Sequence, residues 1–207
     1  MKRQKDENHC QNHCHIFICG LVYPAFLGAF LFEAAERFLK LIAGKYLIPI
    51  EHYAVLILLI VVFVFDYLYT ADKDRKIIYN CWRMIIDVLM VALLYTSLKL
   101  ALAPTTQFFS YISYIWMSLA FFKACSLLWE LFGTPDTQKC LAIFSSGTFF
   151  VLYVVGWLVF SSVTLALILI LLLDILTYKF WKDLSNKWKR FRKKSECFDL
   201  FCKKLEK

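Results

Sequence analysis

The chain has 207 residues, 60% of them hydrophobic and 18% aromatic, with a mean hydropathy of +0.60. Soluble domains run at about 45–50% apolar, so the composition excludes an ordinary soluble fold. The formal charge is +8, but eleven Lys/Arg against four acids between positions 179 and 207 carry seven of those charges. A basic tail behind a membrane span accounts for that excess, and no nucleic-acid partner is expected.

Several apolar runs approach or exceed the ~20 residues that cross ~30 Å of hydrocarbon. Only helices and closed barrels satisfy their backbone groups in lipid, and the short alternating strands of a barrel are missing. The expected fold is therefore an all-α integral membrane protein: a polytopic bundle of six transmembrane helices, with five as the alternative, and a basic amphipathic C-terminal helix.

In chain order, residues 1–15 form a leader. Lys2, Arg3 and Lys5 before an apolar run imitate a signal peptide, but no A-x-A-like cleavage site follows, so an uncleaved signal-anchor is expected. The motif HCQNHCH places His9 with His13 and Cys10 with Cys14 at i,i+4, donors that suit zinc or copper. Four ligands on one helix do not surround a tetrahedral ion, so a leader with incidental Cys/His is the preferred reading and no cofactor is expected. The remaining cysteines are scattered through spans and tails, which is no secreted disulfide framework.

The transmembrane domain covers 16–180, with spans at about 16–36, 52–70, 77–102, 108–132, 141–159 and 162–179. The first is interrupted by Gly20, Pro24 and Gly28, and a kink is expected near Pro24. Its continuation, EAAERFLKLIAGKY, reads as an amphipathic surface helix or the frayed end of the span, with Glu33–Arg37 and Glu36–Lys40 pairs. The loop TADKDRK favours the cytoplasmic side.

Leu141 to Tyr178 is the ambiguous stretch: 38 residues make about 57 Å as one helix, nearly two membrane thicknesses. If the DKDRK loop and the basic tail share one side, this stretch crosses twice and turns near Phe160–Thr164. That topology has six spans and both termini cytoplasmic. The tail, 181–207, carries Leu184, Trp188, Phe191, Ser195, Phe198, Cys202 and Leu205 at alternating spacings of four and three. Lys187, Trp188, Lys189, Arg190, Phe191, Arg192, Lys193 and Lys194 are its expected contact with anionic lipid.

The candidate site is a set of ionisable residues inside the spans: Asp66, Arg83, Asp87, Lys123, Glu130 and Asp174. A charge in hydrocarbon costs from ~2.5 to over 10 kcal/mol and persists only when paired or wetted. At ~1.5 Å per residue, Asp87 lies about 16 Å from Lys76 and Lys123 about 15 Å from Gly133, both near the midplane. The expectation is an Asp87–Lys123 pair across the third and fourth spans, with Arg83 bridging some of Asp66, Asp174 and Glu130 below it. Four carboxylates against two cations leave a surplus that suits proton or cation passage.

Catalytic spacings are missing: there is no HExxH, no GxSxG and no phosphate-cradling glycine loop, so an enzyme is not expected. The functional expectation is an oligomeric ion/proton or small-solute permeation unit, a channel or transporter. The alternative is a non-conducting scaffold or effector whose spans anchor the tail.

Overall fold

A computed structural model describes residues 16–42, 50–71, 81–102, 105–132, 139–180 and 187. The described residues are 95% helical and contain no strand. The helices are α1 (Tyr23–Ile42), entered through a π-helical turn over Ile18–Val22, α2 (Ile50–Ala71), α3 (Cys81–Ala101), α4 (Thr105–Leu131), α5 (Lys139–Phe160) and α6 (Thr164–Lys179). Among the described residues five segments are long and apolar enough to cross a membrane: Ile18–Glu36, Glu51–Ala71, Trp82–Ala101, Tyr111–Leu131 and Lys139–Phe160. The chain is a multi-span helical membrane protein, and α6, at 16 residues, is shorter than those five.

A π-turn stands immediately before Pro24, where a kink is expected. Pro24 has no N–H to donate and its ring crowds the preceding turn; just before it, the Tyr23 N–H reaches back to Ile18 O, an i→i−5 bond. α1 then runs unbroken to Ile42, so the segment after Phe32 that reads as a surface helix is a direct continuation of the span. Glu33 is paired across the bundle with Lys99, near the end of α3, through partly exposed side chains.

The long apolar stretch is broken at 161–163, where Val163 leaves the helical region with φ −98° and ψ 101°. α5 and α6 fold back on each other, and Tyr153 Oη donates to Asp174 Oδ2 at 3.3 Å. Each helix from α3 onward packs on the next, most extensively α3 on α4 and α4 on α5, while α6 closes the ring onto α2. α1 docks outside that ring, with Tyr23 against Phe63 and Phe26 against Tyr95 at ring separations of 5.6 and 5.2 Å.

Between α4 and α5 the approach is close enough to require glycine. A Cβ on Gly156 would stand 2.2 Å from the Trp116 ring, and that indole is fully buried with its edge near Tyr153. Val151, Val155, Leu158, Leu165, Leu169 and Leu173 point outward from the α5–α6 hairpin, the lipid-facing pattern expected where there is no water to avoid. Cys125 is a free thiol and Cys140 is disulfide-bonded.

Candidate functional site

The six intramembrane residues singled out from the sequence are all buried, between 0 and 5% exposed. Asp66, Glu130 and Asp174 are thus enclosed by the bundle although each lies near the end of its helix. Lys139 and His52 are buried as well, and neither stood out in the sequence, Lys139 because it looks like the first residue of a loop-flanked helix.

Lys123 does not pair with Asp87. Its ammonium bonds both carboxylate oxygens of Asp174, at 2.8 Å to Oδ1 and 2.7 Å to Oδ2. The rings of Tyr178, Phe122 and Phe149 surround it at 5.0, 5.2 and 5.3 Å, within cation–π range. Depth along a helix says nothing about azimuth, and azimuth separates the expected partners. Lys123 and Trp129 are six positions apart, about 120° around α4 at ~100° per residue. Trp129 faces Arg83 of α3, so Lys123 faces α5 and α6 instead.

Arg83 likewise makes no bridge to Asp66 or Asp174. Its guanidinium stacks over the Trp129 ring at 4.3 Å and donates to the Trp129 carbonyl at 3.5 Å. The two acids have other donors: Asp66 accepts from Tyr23 Oη at 2.6 Å, and Asp174 is held by Lys123 and Tyr153. Glu130 accepts from Tyr69 Oη at 2.7 Å. Both oxygens of Asp87 are buried without a hydrogen-bond partner, and the Trp129 indole N–H that approaches it does not close a bond.

Beside the Lys123–Asp174 pair lies a polar pocket of about 20 Å³, room for roughly one water-sized occupant. Its walls are stripes at helical spacing: Lys123, Ser126 and Glu130 on α4, Ala142, Ser145 and Ser146 on α5, and Asp174, Thr177 and Tyr178 on α6, with Tyr69 contributed by α2. Ser126 and Ser146 share a hydrogen bond of 3.1 Å across it. The hydroxyl members were not singled out from the sequence. The signal was present, since each stripe repeats at i+3, i+4 or i+7, the positions that share one helix face.

Among the described residues no group of three or more His, Cys, Asp or Glu side chains could hold a metal ion. The His9, Cys10, His13 and Cys14 cluster lies outside the described residues, as do the tail residues expected to contact lipid apart from Lys187, which is exposed.

These features define a class: a helical membrane protein with several spans and a polar, charged site buried within its bundle. No family model, curated protein or solved structure matches the chain, so the reading of that site rests on its own geometry.

Proposed function

We propose that the protein is a small permeation unit that admits a small ion or polar solute to a site within the bilayer. The observation that carries this reading is the pocket between α4, α5, α6 and α2, where a buried ion pair and six hydroxyl side chains, those of Tyr69, Ser126, Ser145, Ser146, Thr177 and Tyr178, converge within apolar helices. A network that only fixed helix register would be served by direct pairing and close packing, whereas this one keeps polar space beside the pair.

The same reading has six crossings, both termini on the cytoplasmic side and a tail lying on anionic lipid. The return of α6 alongside α5, through the Tyr153–Asp174 bond, supports the sixth crossing. The loop and tail charges support the orientation. Assembly of several copies remains part of the proposal.

A second reading, a non-conducting scaffold, is favoured by one specific feature: Asp66, Asp174 and Glu130 each accept a short hydrogen bond in a buried setting. Flux decides between them. Purified protein in liposomes, under proton, sodium and potassium gradients, is expected to pass at least one species faster than protein-free vesicles. Asp174→Asn is expected to reduce that flux severalfold. Flux equal to empty vesicles under every gradient would leave the scaffold reading standing.

A further inference from the structure

Two acids of the bundle have no ion-pair partner among the described residues, and they lie within electrostatic range of each other. Asp66 of α2 is 2% exposed and Asp87 of α3 is 0% exposed. The groups facing Asp87 come from every surrounding helix: Cys19 in the π-turn and Tyr23 of α1, Asp66 of α2, and Trp129 of α4. One turn earlier on its own helix stands Arg83.

None of these neutralises Asp87. Arg83 is at i−4, a spacing that permits a pair, yet its guanidinium is turned onto the Trp129 ring and carbonyl. Lys123 faces Asp66 at longer range but is bonded by both oxygens of Asp174. The Tyr23 hydroxyl is given to Asp66. An ionised carboxylate with no donor and no counter-charge is too costly to keep in an apolar interior, and a group so placed takes up a proton instead. A bound metal cation would need oxygen ligands and space. The polar pocket offers both, but it lies against another face of α4 and includes neither acid.

We propose that Asp87, whose two carboxylate oxygens are buried without a hydrogen-bond partner, is a proton-binding site. The proton resides on Asp87, while Asp66 is held separately by the Tyr23 hydroxyl. The π-turn belongs to this arrangement, because it sets the register in which Tyr23 leaves α1 toward Asp66; such turns often occur at functional sites. The ligand is a proton, whatever species passes through the separate polar pocket, so this inference stands or falls independently of flux.

Infrared difference spectroscopy on the full chain in lipid tests it, since it reports protonated carboxyl groups without requiring transport. At neutral pH the wild-type protein is expected to show the C=O band of a buried protonated acid, and Asp87→Asn is expected to lose one carboxyl equivalent per chain. Asp174→Asn is expected to leave that band in place. Wild-type protein grown with [4-13C]aspartate provides a measurement free of any folding defect: the same band shifts if an aspartate carries it. A band that is absent in the wild type, unmoved by the label or undiminished in a folded Asp87→Asn protein would overturn the proposal. Thermal stability that rises with sodium or potassium in the wild type but not in Asp87→Asn would also overturn it, by making the ligand a metal cation.

Discussion

Removing one partner of the Lys123–Asp174 pair tests the central correction to the charge network. In Lys123→Met, Asp174 keeps only the Tyr153 hydroxyl at 3.3 Å, on a side chain 2% exposed. Stripping a buried pair of one member costs about 3–5 kcal/mol, because the other charge is left uncompensated. Asp174→Asn is expected to cost less, since the Tyr178, Phe122 and Phe149 rings around the ammonium return ~1–2 kcal/mol of cation–π attraction. The double variant removes both charges and is expected to recover most of the loss, giving a coupling of about 2–3 kcal/mol.

Equilibrium unfolding in mixed micelles measures each arm of this cycle. Ordinary interhelical hydrogen bonds in membrane proteins average only ~0.6 kcal/mol in such cycles, so a coupling above ~1.5 kcal/mol marks an ion pair. The companion cycle, Lys123→Met with Asp87→Asn, is expected to be additive within ~0.5 kcal/mol. Coupling to Asp87 with none to Asp174 would refute the azimuthal argument.

Two further substitutions probe the packing that holds the site. Gly156→Ala forces a methyl group to within 2.2 Å of a buried indole; it is expected to destabilise the protein by about 1–3 kcal/mol, the usual cost of overpacking. Trp116→Phe in the same chain should restore much of that loss in the same unfolding assay. Tyr69→Phe deletes the hydroxyl that donates to buried Glu130 at 2.7 Å. It is expected to cost about 1–3 kcal/mol, and a change below a few tenths would show that this hydroxyl is not needed to satisfy the carboxylate.

Much of the architecture is legible along the chain because a membrane imposes one-dimensional rules. An apolar run of sufficient length must be helical and must cross or be buried. The expected segments 52–70 and 141–159 thus have counterparts in α2 and α5, Ile50–Ala71 and Lys139–Phe160. The same reasoning located the turn near Phe160–Thr164, since a 38-residue stretch with no charge before Asp174 exceeds one membrane thickness as a single helix. The presence of buried charge is equally legible: an ionisable residue far from either end of a span has nowhere else to go.

The partners are not legible in that way. Asp87 and Lys123 share a depth, but Asp87 lies on α3 and Lys123 on a face of α4 turned to Asp174 of α6, and the rotation of one helix against another depends on how their whole surfaces interlock. Gly156 admits Trp116, Ser118 bonds the Leu93 carbonyl at 2.9 Å, and contacts of this kind determine which face of α4 meets α3 and which meets α5. The polar pocket has the same origin, since its stripes lie on three helices and become a site only when those helices turn toward one another. Helix number, length and charge content follow from local composition and the thickness of a bilayer. The pairing of Lys123 with Asp174 and the isolation of Asp87 follow from side-chain packing between segments distant in the chain, which only the tertiary structure decides.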